Sequence, residues 1–235
     1  MRNGIELRRA RVRYGPLEAL HGVTLAAPAP GLTILLGRNG SGRTTTLRAL
    51  AGTAPLTTGA VTWDGTDVTR LPAHARARRG LCFVPDGQAV FGHLTVAENL
   101  RLSAPGSGPG GDLSPALDAY PELRPLLPRP AGTLSGGEQR MLAVSRALLT
   151  AGARVILVDE PTQGMSPAVA SRTYALLAGL SRRDPPTCVM TAEQRLPSGL
   201  REHAGRTAVV VHELRRGAVV FSGEAAELSR RTPET

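Results

Sequence analysis

Lysine is missing from this 235-residue chain: all 28 of its basic residues are arginine. The bias runs through the whole sequence beside abundant alanine, glycine and 19 prolines, and resembles the coding habit of a GC-rich genome. An arginine at any one basic position is therefore part of a chain-wide trend. Aromatic residues are also scarce, at 3%. The net charge of +9 would suit a nucleic-acid partner, but the arginines come in ones and twos, as in "ELRRARVRY", "RARARRG" and "ELRRG". Without a long basic run or interleaved aromatics for stacking on bases, no nucleic-acid partner is expected. Only two cysteines occur, Cys82 in "LCFVP" and Cys188 in "TCVM". Both sit in apolar strand-like runs rather than a paired motif, which predicts core thiols in a reducing compartment and no disulfide or metal site. No window reaches about 18 consecutive apolar residues and no signal-length apolar stretch opens the chain, so a soluble or peripheral protein is expected.

What is present is a hydrophobic content of 41% with 20% charge, ordinary for a globular domain with a substantial core. Residues 31–36, "GLTILL", form a short apolar run before a glycine loop, and "TTTLRALAG" after it has helical spacing. "LCFVP", "RVILVDEP" and "PTCVMTAEQ" read as buried strands, and "RTAVVVHELRRGAVVFSG" as a hairpin turning at residues 215–217. This order predicts an α/β core with an antiparallel edge. Between the core strands, "LTVAENLRLSA" reads as a helix start capped near Thr95, "PGSGPGGDLSP" as a flexible link, and the segment from Gly136 onward as a strong helix. The whole is read as one folding unit. Residues 93–150 form a helical excursion within a core made of 1–92 and 151–235.

Three motifs carry chemistry. "GRNGSGRTTT" places Gly37, Gly40, Gly42, Arg43 and Thr44 on the spacing G-x-x-x-x-G-K-S/T, with Arg43 at the lysine position. Glycines allow a left-handed backbone, so successive N–H groups of Gly37, Arg38, Asn39, Gly40, Ser41, Gly42, Arg43, Thr44 and Thr45 can turn around phosphate oxygens at the positive end of the next helix. Thr44 would offer its hydroxyl to Mg²⁺. A glycine turn alone does not establish phosphate binding. In "RVILVDEP" a strand buried on both faces would deliver Asp159 beside that loop, to hold Mg²⁺ through water, and Glu160 beside a γ-phosphate, to orient an attacking water. Taken alone, the same acids read as a capped strand exit. In "LSGGEQ", Ser135, Gly136 and Gly137 open a helix and make a second anion nest. One triphosphate does not need two cradles from one chain, so a dimer is expected, in which this nest faces the nucleotide of another subunit.

These motifs in this order resemble an ABC transporter ATP-binding subunit, with "LSGGEQ" as the family signature, and the resemblance covers nearly the whole chain. Segments such as "RYGPLEALHGVTL", "VPDGQAVFGHLTVAENL" and "YPELRPLL" are most similar to the branched-chain amino acid importer subunit of the LivF type. The resemblance implies a P-loop NTPase (RecA-like) α/β core with an antiparallel β subdomain and an inserted helical subdomain. It implies ATP and Mg²⁺ as ligands, permease subunits and a second ATP-binding subunit as partners, and a solute-binding protein as an indirect one. It also implies a peripheral place on the cytoplasmic face of the membrane. By the same resemblance Tyr14 would stack on adenine; otherwise it is an ordinary strand aromatic.

Several positions depart from the common pattern. Asp86 stands where most relatives carry a glutamine that senses Mg²⁺ and the membrane partner, Gln194 where they carry a switch histidine, and Ser166 where they carry an aspartate. LivF-type subunits share an acid, a glutamine and a small residue at these three places. Arg43 is not so explained. Guanidinium preserves the charge but is wider, planar and rigid, so ATP binding is expected to survive and hydrolysis to slow. The alternatives are a nucleotide-binding regulatory subunit that never turns over, or a DNA-repair or translation ATPase sharing the signature helix. The last would need a coiled-coil insertion or a second cassette, for which the chain has no room.

Overall fold

The computed structural model describes residues 4–87, 89–104, 111–197 and 209–231. The link at 105–110 lies outside the described residues. Two sheets form the frame. The larger takes its strands in the order β10-β9-β3-β8-β7-β6. Here β3 is Gly31–Leu36, β6 Leu81–Val84, β7 Val155–Asp159, β8 Cys188–Glu193, β9 Val209–Arg215 and β10 Ala218–Glu224. The first five named are mutually parallel and β10 runs antiparallel on the edge, with Arg215 opposite Ala218 across the expected hairpin turn. The smaller sheet, β2-β1-β4-β5, is antiparallel and is built from β1 (Gly4–Tyr14), β2 (Leu17–Pro28), β4 (Thr58–Trp63) and β5 (Thr66–Asp67).

Period-two alternation sends neighbouring side chains of the parallel strands to opposite faces, which is why these runs are apolar throughout. Leu32, Ile34, Ile156, Val158 and Val189 join one core with Leu142 and Val144 of α5 (Gly136–Leu149) and Tyr174 and Leu177 of α6 (Pro167–Ser181). Leu35, Val155, Leu157 and Met190 join the other, with Leu47 and Leu50 of α1 (Arg43–Ala51) and Ile5, Leu20 and Val61 of the antiparallel sheet. Helix α1 is thus packed between the two sheets.

Between β6 and β7 the chain is helical: α3 (Val96–Arg101), α4 (Ser114–Ala119), two short 3₁₀ turns and α5. Thr95 caps α3 as expected, accepting from the Glu98 N–H while Glu98 accepts from the Thr95 N–H. Both cysteines are free thiols, Cys82 on β6 and Cys188 on β8. Burial pushes the Cys188 thiol up to about 12.

Register fixes where chemistry can occur. Leu36 is level with Glu193 and Glu213, Asp159 with Ala192, and Val84 with Val158. Five parallel strands therefore end together, and every loop leaving them opens on one edge of the sheet.

Candidate functional site

At that edge residues 37–42 leave β3 and enter α1. Gly37 N–H donates to the Glu193 carbonyl at 3.1 Å, and Ser41 N–H to Arg38 O at 3.0 Å. Gly42, the N-cap, has φ 104°, and a Cβ there would lie 2.8 Å from Leu20 Cδ2. Only glycine meets both demands. No side chain caps α1 and its first turn holds no acid, so the amides at its positive end are left without an intramolecular anion. The hairpin turn of β9–β10 grips the loop from outside: Gly217 N–H donates to Ser41 O at 2.9 Å and its carbonyl accepts from His21 N–H at 2.8 Å.

The loop borders a cleft of about 640 Å³ lined by Arg38, Asn39, Gly40, Ser41, Gly42, Arg43, Thr44, Thr45, Tyr14, Asp86, Glu160, Gln194 and Arg216. Tyr14, at the end of β1, is 44% exposed on its rim. Asp159 is fully buried at the end of β7; neither carboxylate oxygen has a partner at full hydrogen-bonding distance, although the Thr44 side chain stands close enough to lower its carboxyl. Burial pushes its carboxyl up; the Thr44 side chain and the Arg43 charge pull it down, against the repulsion of Asp86 and Glu160. Ser41 Oγ and Arg43 Nη1 are buried and unpartnered as well. Orphaned buried polar atoms are costly and rare, about 1–3 kcal/mol each. Gathered round uncapped amides, they suit an anion and a cation bound together. Among the described residues no group of three or more His, Cys, Asp or Glu side chains could hold a metal alone. Mg²⁺ commonly takes one or two carboxylates, with phosphate oxygens and water completing its shell, a donor set that Asp159 and the Thr44 hydroxyl fit.

Glu160 follows Asp159 with φ 48°, a left-handed conformation that costs a non-glycine residue about 1–2 kcal/mol. Its N–H donates to Ala192 O at 2.9 Å. Its Oε1 accepts from Arg43 Nη2 at 2.9 Å and from Gln194 Nε2 at 3.2 Å. Asn39 and Arg43 of the loop thus meet Glu160 and Gln194, distant in the chain, within hydrogen-bonding range, Asn39 Oδ1 lying 3.4 Å from Arg43 Nη2. Asp86 is tied down: Arg140 Nη2 donates to its Oδ1 at 2.8 Å and its carbonyl at 2.5 Å, and Arg140 Nη1 to Pro85 O at 2.9 Å.

Ser135, Gly136 and Gly137 do not line this cleft. Ser135 caps α5 in a capping box, its Oγ accepting from Glu138 N–H and its own N–H donating to Glu138 Oε2 at 2.7 Å. One amide of the expected nest is therefore already paired within the chain. Gly137 packs closely on the loop after Glu160, where an added Cβ would stand 2.5 Å from Gly164 O.

Two neighbours escaped the sequence reading. Glu193 sits between the loop and Gln194, and its Oε1 accepts from Tyr174 Oη at 2.6 Å and Thr162 Oγ1 at 3.0 Å. Burial pushes its carboxyl up, against those two hydrogen bonds. An acid ending an apolar strand beside Gln194 was the available signal. Arg140 gave none, because its partner Asp86 lies 54 residues away.

Comparison with known proteins shows the family to which the chain belongs. Residues 20–163 match the family model described as ABC transporter. The chain is 36% identical over 218 residues to a probable branched-chain amino acid transport ATP-binding protein LivF of Archaeoglobus fulgidus, covering 92% of this chain and 89% of that one. It is 31% identical to the high-affinity branched-chain amino acid transport ATP-binding protein BraG of Pseudomonas aeruginosa, covering 92% and 90%. A solved nucleotide-free ATP-binding cassette from an ABC transporter superposes with a TM-score of 0.79 at 22% identity, over 98% of this chain and 94% of that one. No helix among the described residues is long and apolar enough to cross a membrane.

Proposed function

The chain belongs to the ABC transporter family as an ATP-binding subunit, and from that premise we propose that it binds and hydrolyses ATP to energise an importer for branched-chain amino acids or a related small amino acid or amide. The observation that carries this reading is the meeting of an uncapped helix end, an unpartnered Asp159 and Glu160 on one strand edge. Amides of residues 37–45 would hold the phosphates, Thr44 and Asp159 the Mg²⁺ with Asp86 nearby, and Tyr14 the adenine. Bound Mg²⁺ supplies positive charge against the phosphate oxygens. Glu160 would accept a proton from the attacking water and Gln194 would steady that carboxylate. Ser135, Gly136 and Gly137 would face the nucleotide of a second ATP-binding subunit, alike or different. Permease subunits would keep the pair at the cytoplasmic face of the membrane and link it to a solute-binding protein. The helical excursion, residues 93–150, would carry the signature between the two parts of the core.

Arg43 slows the hydrolysis at this chain's own site, because a wide planar cation replaces a compact one at the transferring phosphate. One misplaced electrostatic contact costs about 3 kcal/mol of barrier, on the order of a hundredfold. Phosphate release from Mg-ATP by the purified chain is expected to be slow, to vanish in Glu160→Gln and to rise roughly a hundredfold in Arg43→Lys. Release indifferent to Glu160→Gln would contradict the assignment. ATP binding with no release even in Arg43→Lys would favour a subunit that never turns over.

A further inference from the structure

The guanidinium of Arg43 is used unevenly. Its side chain is 5% exposed and that of Glu160 12%. Nη2 holds Glu160 Oε1 at 2.9 Å, while Nη1 of the same plane is buried with no partner. Gln194 takes the same Oε1, so the carboxylate is fastened twice through one oxygen. A guanidinium has two terminal nitrogens in a fixed fork and can serve two acceptors at once, whereas an ammonium presents one nitrogen.

We propose that Arg43 is a positioning residue that keeps hold of Glu160 while nucleotide is bound, Nη2 retaining the carboxylate and Nη1 being presented to a phosphate. The arginine then does more than fit the phosphate poorly: it ties the hydrolytic carboxylate to the phosphate cradle. This rests on the reading of the cleft as an ATP site.

Thermal unfolding of the full chain tests it, for wild type, Arg43→Gln, Glu160→Gln and the double variant, without nucleotide and saturated with Mg-ADP. Buried, touching groups show non-additive effects, so the two substitutions are expected to depart from additivity by roughly 4 °C in both conditions. A cycle built on Arg43→Lys supplies the contrast. The three N–H groups of an ammonium radiate from one point and cannot span acceptors as far apart as the two guanidinium nitrogens can, so coupling to Glu160→Gln is expected without nucleotide and is lost with Mg-ADP. Additivity throughout, or coupling in the arginine protein that disappears on saturation, overturns the tether alone. If calorimetry finds that neither wild type nor Arg43→Lys takes up ADP or ATP, the ATP reading falls and the tether with it.

Discussion

Asp159 gathers burial, charge and missing partners in one side chain. It is fully buried, carries two unpartnered oxygens and has a carboxyl pushed up by desolvation. An acid whose folded value is raised contributes stability that is complete below its unfolded value, near 3.9, and is lost as pH rises through the folded value. Asp159→Asn removes that loss. The variant is therefore expected to melt higher than wild type without nucleotide, by about 2–4 °C for each kcal/mol recovered, with a larger gap at pH 8 than near the unfolded value of about 4. Mg-ATP should reverse the order, because the cation that the carboxylate would hold stabilises only the wild type. Scanning calorimetry at the two pH values, with and without Mg-ATP, reads both effects. A gap unchanged with pH would mean that Asp159 is not a strained acid.

The helix that presents the cradle depends on a residue at its opposite end. Arg76 of α2 (Ala73–Arg78) is 2% exposed and closes the α1 C-terminus, its Nη1 donating to Ala49 O at 2.8 Å and Leu50 O at 2.6 Å. Its other nitrogens serve Leu71 O, Val68 O and Thr69 O at 2.8–3.1 Å. A cation here also complements the negative end of the helix. Arg76→Ala leaves those buried carbonyls unpaired, which costs about 3 kcal/mol or more and should lower the melting temperature by roughly 6 °C or more. Arg76→Lys is expected to recover only part of it, since one ammonium cannot reach five acceptors; full recovery would show that charge alone matters. None of this was legible locally, because the partners lie up to 27 residues away. The parallel strands β3, β6, β7 and β8 were legible because each is a largely apolar run, as burial on both faces requires, and β9 because a hairpin turn follows it. The long hairpin of β1 and β2 was not resolved into strands. Bulges between Leu7 and Ala10 set Arg8 and Arg9 side by side in solvent, with Arg9 at φ 47°, and erase the alternation that marks a strand. Helix α6 was overlooked although Ser166 caps it and Pro167 begins it, since its Ala-rich face carries little pattern.

Taken whole, the molecule shows half of an arrangement. One strand edge gathers the glycine loop, Arg43, Asp159, Glu160 and Gln194, and the motifs that predicted this meeting were legible because each is local in sequence. The signature residues point elsewhere, capped by their own Glu138. That separation is what a second subunit would repair, with the phosphates of one chain facing the α5 end of the other. Under the proposed function the uncapped α1 end and the capped α5 end would divide the work accordingly: the first would bind anions on its own, the second only in company. The most direct test of the central claim is isothermal titration calorimetry of the purified chain with Mg-ATP. Saturable uptake of about one nucleotide per chain, lost in Gly42→Ala, is predicted, because a methyl at Gly42 would meet Leu20 at 2.8 Å and break the left-handed turn. No uptake by the wild-type protein, or uptake indifferent to Gly42→Ala, would contradict it.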